Sequence, residues 1–403
     1  MIITTFSNGV RAVVRRSDSP VSYIGAAIAA GSRDDGAGRD GLAHFVEHTI
    51  FKGTRHRSSW HISNRMESIG GELNAYTTKE ETLIYTNAPA GYASRAIELI
   101  SDLIKNATFP AGEIERERDV IIEEIHSYAD SPSDAVYDEF DELLYAGSSL
   151  AHNILGNEQS VEVLTGSDGR SFIDSRYTPA NIVLYCVDPG DEQKNMRLLE
   201  KHFGDLSFIE NERHRKAPAE RPPFRETRDR GHQQANTIIG TRIFARNDPR
   251  RHALFLLNNI LGGPCMNSRL NRELREKRGL VYTVDSALTL MSDCGSMLIY
   301  FGSQPDKVEK CSRIISDEIA RLASDRLSER AFAAARDQYC GQLIVSGDQR
   351  ENCAMALAKS LLYFGEVHDI AHTAAQIRAV TPDDLRDIAA LVASKELSRL
   401  TLT

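Results

Sequence analysis

His44 and His48 stand four residues apart with Glu47 between them, in the run His-Phe-Val-Glu-His at the centre of residues 41–54. On a helix, residues four apart share a face, so the two imidazoles can offer nitrogens to one metal ion. Glu47 lies at the edge of that face and can reach water activated by the metal without being a ligand. Two imidazoles, a carboxylate base and an open coordination position are the requirements of zinc-assisted amide hydrolysis. The order H-x-x-E-H reverses the commoner H-E-x-x-H.

His368 and His372 repeat the four-residue spacing, but Asp369, Ile370 and Ala371 separate them and no acidic helix follows. That pair reads as surface or packing histidines. After His44/His48, by contrast, a long helix is expected from about Glu113 to Tyr128. On it Glu117 and Glu124 are two turns apart and point from one face. Either carboxylate could complete a metal shell, and spacing does not choose between them. Glu113, Glu115 and Glu123 read as a solvated face.

The elements that must hold these residues follow from periodicity. Alternation predicts strands over Val10 to Val14 and Tyr23 to Ala29. The His44 helix comes next, then a helix from Trp60 to Ile69 stopped by Gly70-Gly71. A strand pair is expected over Glu72 to Thr78 and Thr82 to Ala88, followed by a helix over Ala93 to Ile104. The Arg- and Pro-rich residues 211–230 read as an exposed linker. Beyond it the pattern returns: a strand over Asn236 to Ile243, then helices over Leu254 to Leu261 and Met266 to Lys277. Strands follow at Leu280 to Leu288 and Ser296 to Phe301, then helices around Val308 to Ile319 and over Glu329 to Ile344. Tyr85 and Tyr300, each followed by a helix, mark an offset of roughly 210 residues, the scale of a duplicated domain. The second copy lacks the histidine–glutamate cluster.

At 403 residues the chain fits two domains of roughly 200 residues each. With 41% hydrophobic and 26% charged residues it is a globular chain. A net charge of −9 argues against nucleic acid or an anionic membrane as partner. No apolar run approaches spanning length and no targeting leader is visible, so a cytoplasmic location is expected. The six cysteines form no C-x-x-C pair and read as free, mostly buried thiols.

Several stretches together resemble the inverzincin family of pitrilysin, insulin-degrading enzyme and mitochondrial processing peptidase. They are His44 to Thr54, Gly71-Glu-Leu-Asn-Ala-Tyr-Thr77, Glu115 to Glu124, and Ser268 to Tyr282. The resemblance spans nearly the whole chain. It implies an α+β fold of two homologous domains, each an antiparallel-rich sheet packed by helices and together half of a four-domain clamshell. The zinc-binding peptidase domain would cover residues 1–210, the linker 211–230, and the second domain 231–403.

The resemblance further implies one Zn2+ per chain, held by His44, His48 and Glu124. Glu47 would be the general base that takes a proton from water at the metal and passes it to the leaving amine. Glu117 would stand behind the ligands and orient one of them or the water. Asn74, Ala75 and Tyr76 would form the strand on which a peptide substrate lies by β-augmentation. Arg275 and Tyr282 would serve catalysis from the second domain, Tyr282 donating to the oxyanion and Arg275 holding peptide backbone. Since the family's working unit has four domains, a homodimer is implied, or a heterodimer with a sister chain. Each site would combine the metal of one chain with Arg275 and Tyr282 of the other. One departure is the loop Leu261 to Ser268, where Pro264 and Cys265 stand in a stretch that is usually glycine-rich.

The function expected is therefore a zinc endopeptidase acting on short unfolded peptides or presequence-like segments in an enclosed chamber. The alternative is a non-catalytic assembly or partner subunit of a related peptidase or respiratory complex. Such subunits usually lose part of the zinc set or the Arg/Tyr pair, whereas this chain keeps both. A peptide-binding chaperone is a third reading, against which Glu47 counts because binding needs no base.

Overall fold

The computed structural model describes residues 1–207 and 215–403. The chain divides into two units, each discontinuous in sequence. Unit 1 takes Met1–His126, His152–Arg215 and Gly347–Asp369; unit 2 takes Ser127–Ala151, Lys216–Ser346 and Ile370–Thr403.

In unit 1 the chain runs β1 (Ile2–Thr5), β2 (Arg11–Arg16), β3 (Val21–Ile28), α1 (Leu42–Thr49), α2 (Ser59–Glu67), β4 (Glu72–Thr77), β5 (Thr82–Pro89) and α3 (Ala93–Asn106). Next is α4 (Ala111–Ala129), which begins in unit 1 and ends in unit 2, where α5 (Pro132–Leu144) follows. The chain returns to unit 1 for α6 (Glu158–Glu162), α7 (Gly166–Arg176), β6 (Ile182–Asp188) and α8 (Glu192–Phe203). Unit 2 then receives β7 (Arg225–Arg228), β8 (Ala235–Ile243), α9 (Arg251–Gly262), β9 (Val281–Leu290), β10 (Gly295–Ser303), α10 (Val308–Ser324) and α11 (Glu329–Ser346). Helix α12 (Arg350–Phe364) belongs to unit 1, and α13 (Ile370–Ala379), α14 (Pro382–Ala393) and β11 (Ser398–Leu402) complete unit 2.

The two sheets share one plan. Unit 1 orders its strands β1-β2-β6-β3-β5-β4, and unit 2 orders its strands β7-β11-β8-β10-β9. Matching β2 to β6 with β7 to β11 in chain order makes every neighbour agree. The parallel pair β2/β6 corresponds to β11/β7, and the remaining pairs are antiparallel in both. Tyr85 and Tyr300 lie on the equivalent strands β5 and β10. A shared order with a shared crossover marks a duplication, which bears out the two-domain α+β expectation.

Successive strand residues point to opposite faces, and both faces of the unit 1 sheet are buried at its centre. Ala12, Val14, Ile24, Ala26, Ile28, Ile182, Leu184 and Cys186 join the main core with α1, α3 and α8. Val13, Ala27, Val183, Tyr185 and Val187 face the other way, against Leu357, Ala358 and Leu361 of α12. This is why β6 reads Ile-Val-Leu-Tyr-Cys-Val without alternation: a strand covered on both sides has no polar face. Gly25 makes room for the Tyr185 ring, since a Cβ there would lie 2.6 Å from it. Unit 2 repeats the arrangement, with α5 (Val136, Phe140, Leu144) covering Ile238, Leu298, Leu400 and Leu402. Each sheet is thus capped by a helix from the other half of the sequence.

Two expectations need correction. Of the 211–230 stretch, residues 211–214 lie outside the described residues, and the remainder is mostly exposed as expected but is built into the folded units rather than linking them. Arg225–Arg228 is a strand pairing parallel to β11, and Arg228 and Arg230 form ion pairs with Glu139. Arg215 forms ion pairs with Asp34 and Glu80. Second, the helix expected over Met266 to Lys277 is a π-helix at Asn271–Glu276. The reading of His368 as a packing histidine holds: it precedes α13, and its ring stacks on Phe364 at 4.9 Å. All six cysteines are free, and Cys186, Cys294, Cys311 and Cys340 are buried.

Candidate metal centre and catalytic site

Helix α1 is placed by its first residues. Gly41 caps it at φ +90°, and a Cβ there would lie 2.5 Å from the Leu155 carbonyl oxygen, so only glycine fits without movement. The Asp35 carboxylate accepts from the amides of Gly41 and Ala43, both at 2.8 Å, which satisfies donors that the helix end leaves open. Leu42, Ala43, Phe45 and Val46 are buried in the core. That burial turns His44, Glu47 and His48 toward α4 and β4.

Helix α4 is anchored separately. Its approach passes through Phe109, whose φ of +51° is unusual for a bulky residue; its ring seats against Gly169 of α7, and its carbonyl and Cβ lie beside Gly166. Arg118 donates to the carbonyls of Val161 and Leu164. Ile114 and Ile121 are buried, leaving Glu117 and Glu124 facing α1.

His44 Nε2 lies 3.5 Å and His48 Nε2 3.3 Å from Glu124 Oε2. The ligand atoms of these three residues all fall within 4.8 Å of one another, and no other group of this kind occurs among the described residues. Spacing left Glu117 and Glu124 equivalent; the geometry separates them. Glu117 Oε1 lies 3.1 Å from His48 Nδ1, on the far side of the ring, and its other oxygen lies 2.6 Å from Lys52 Nζ. A carboxylate there fixes the tautomer with Nδ1 protonated, so that Nε2 presents its lone pair toward Glu124 and His44. Burial, with His48 beside it, lowers the His44 pKa to about 3, which keeps the imidazole neutral. Two imidazoles and one carboxylate are a donor set that zinc accepts while leaving a position open, so the residues present fit the metal.

Glu47 is half-buried. Burial raises its carboxyl pKa above the ordinary value, opposed by hydrogen bonds from the side chain and backbone of Thr77. A carboxylate with raised proton affinity suits a base working near neutrality. Thr77 closes β4, the edge strand of the unit 1 sheet, which pairs only with β5 among the described strands. Asn74, Ala75 and Tyr76 lie on this strand, with Ala75 packed toward the main core and Tyr76 toward α12.

Arg275 and Tyr282 belong to unit 2, apart from the other candidates in the division of the chain. The Arg275 guanidinium lies 5.8 Å from the Tyr282 ring centroid, and Tyr282 is 79% exposed. Two one-residue irregularities flank the pair. The π-helix carries Arg275, and in β9 the register shifts so that Gly302 pairs with Thr283 and Ser303 with Val281, leaving Tyr282 unpaired. A π-turn and a bulge each re-aim side chains.

The sequence reading missed Lys52, Asp35, Thr77 and Lys359. Lys52 follows His48 by four residues, a spacing that could have marked it as a neighbour of the cluster. Lys359, whose Nζ lies 3.3 Å from the Tyr76 hydroxyl, is 283 residues away from it and left no local signal.

Residues 11–158 match the family model "Insulinase (Peptidase family M16)", and residues 164–339 match "Peptidase M16 inactive domain". An uncharacterized zinc protease of Mycobacterium tuberculosis is 33% identical over 406 residues, covering 99% of this chain and 92% of the relative. This chain belongs to peptidase family M16. Within the M16 family it is also similar to the uncharacterized zinc protease YmxG of Bacillus subtilis, at 30% identity over 96% of this chain and 94% of the relative. Two solved structures share the fold over 100% of this chain. A protease from Helicobacter pylori has a TM-score of 0.90 at 21% identity over 99% of its own chain. A Pseudomonas fluorescens protein described as a peptidase M16 inactive domain has a TM-score of 0.91 at 19% identity over 97% of its own chain.

Proposed function

We propose that this M16 chain is a zinc-dependent endopeptidase that hydrolyses short unfolded peptides or presequence-like segments. The observation that carries this reading is the convergence of His44 Nε2, His48 Nε2 and Glu124 Oε2, with Glu117 behind His48 and Glu47 beside it. The relatives named as zinc proteases support it.

His44, His48 and Glu124 would hold one Zn2+ per chain. The metal, when bound, supplies a Lewis acid that polarises the scissile carbonyl and lowers the pKa of water. Glu47 takes the proton of the attacking water and delivers it to the departing amine. Glu117 keeps the His48 ring turned toward the metal position, and Lys52 balances the Glu117 charge. A peptide adds to the open side of β4 along Asn74, Ala75 and Tyr76, through backbone hydrogen bonds that read little of its sequence. Tyr282 donates to the developing oxyanion, and Arg275 holds the peptide backbone. Both come from the second subunit of a dimer that encloses the substrate, a homodimer or a pair with a sister chain. No helix among the described residues is long and apolar enough to cross a membrane.

Hydrolysis of an internally quenched unstructured peptide tests this reading. Turnover should vanish with chelator, return with zinc, and be absent in Glu47→Gln while the zinc content of that variant is unchanged. Mixing inactive Glu47→Gln with inactive Tyr282→Phe should restore activity, because one of the two sites in the mixed dimer is intact. Zinc-loaded protein that cleaves none of a varied peptide set would replace this reading with that of a non-catalytic partner subunit.

A further inference from the structure

The edge strand β4 is tied on both faces. On one, Leu73 and Ala75 pack against the core that α1 helps to build. On the other, Lys359 of α12 reaches the Tyr76 hydroxyl at 3.3 Å, with its ammonium 5.7 Å from the ring centroid. The same ammonium lies 2.5 Å from Glu81 Oε1, and the Glu81 side chain is 2% exposed. Glu81 directly precedes β5, the strand that pairs with β4 through Tyr76↔Leu83 and Thr77↔Thr82. Lys359 therefore joins α12, the strand end at Glu81 and the ring of Tyr76 in one contact. The Tyr85 ring, 6.3 Å from Tyr76, closes the remaining side.

An edge strand has hydrogen bonds on one side only and frays unless something else holds it. A fraying strand presents no fixed row of amides and carbonyls to an incoming peptide. Holding it in advance removes the ordering cost from the binding step. We propose that Lys359, with Glu81, is a positioning residue that fixes β4 through Tyr76 for peptide docking. The inference rests on the peptidase reading for the identity of what docks. The charge pair has a simpler use as fold stabilisation, which would leave peptide affinity unmoved once stability is matched.

Lys359→Met alone would strand a buried Glu81 carboxylate and could unfold the unit. The test therefore uses the double variant Lys359→Met/Glu81→Gln, which leaves no buried charge, together with Tyr76→Phe, which removes only the hydroxyl. Both are made on the full chain in the Glu47→Gln background, so that binding of a fluorescent unstructured peptide is read by anisotropy without turnover. Loss of the contact should weaken Kd about five- to tenfold, and amide exchange at 72–77 should quicken in the double variant. In the Glu47-containing enzyme the same changes should raise KM with kcat within about twofold.

Unchanged Kd and unchanged exchange at β4 would overturn the inference, as would a fall in kcat that tracks lost zinc. No peptide binding by any form would overturn it together with the peptidase reading. Binding that weakens as expected, in a protein whose zinc-loaded parent cleaves nothing, would sink the peptidase reading and leave Lys359 its role.

Discussion

The site depends on which face of His48 each carboxylate takes. Glu124 meets Nε2 at 3.3 Å and Glu117 meets Nδ1 at 3.1 Å, so equal helical exposure becomes two unlike roles. Glu117→Ala should leave all three proposed ligands in place and weaken zinc 10- to 100-fold, the usual effect of losing such a partner. Competition against a fluorescent chelator measures it; an unchanged zinc affinity would show that the His48 ring is held by packing alone. His44 and His48 were legible from their spacing, and Glu47 from its place between them. The split between Glu117 and Glu124 came only from the family resemblance and not from spacing, because two residues seven apart on one helix face are locally equivalent until a third element breaks the tie. Here the tie is broken by the ring plane of His48 and by Lys52.

At the scale of elements, periodicity located the first half of unit 1 and the strand–helix alternation of unit 2 to within a few residues. What it could not give were the irregular turns. A π-helix has the same local composition as an α-helix, and a bulge differs from a strand by one residue, so the segment around Arg275 and Tyr282 read as regular. The α1 N-terminus can be tested directly. Gly41→Ala meets both the strain of φ +90° and the Leu155 carbonyl at 2.5 Å, whereas Gly36→Ala meets a φ of +86° with nothing within 4 Å. Urea unfolding should show Gly41→Ala destabilised by about 1–3 kcal/mol, with Gly36→Ala at the lower end. Equal losses would mean that the close approach of Leu155 does not position α1. Zinc content should fall in Gly41→Ala and hold in Gly36→Ala.

At the scale of the whole molecule, the duplication was legible and the helix exchange was not. Neither α5 nor α12 was read as a helix from the sequence, and a local pattern would not say which sheet receives its buried face. Each covers the sheet built by the opposite half. Residues 1–215 expressed alone should therefore expose Val13, Ala27, Val183 and Tyr185, and should aggregate. Co-expression of 1–215 with 216–403 should return soluble protein, whereas 1–215 alone remaining monomeric with native circular dichroism would refute the account. Leu361→Ala, beneath the same sheet, should cost about 2–5 kcal/mol in the intact chain.

The exchange also sets a schedule for birth on the ribosome. Unit 1 gains its covering helix only when residues up to Asp369 have emerged, 154 residues after Arg215 (369 − 215). At roughly 5–20 residues per second the underside of its sheet waits about 8–30 s. The half that carries the His44–His48–Glu124 cluster, although made first, is completed almost last. The nascent chain carries an uncovered β-surface while those 154 residues are added to a chain of 403, a window in which chaperones can act on it.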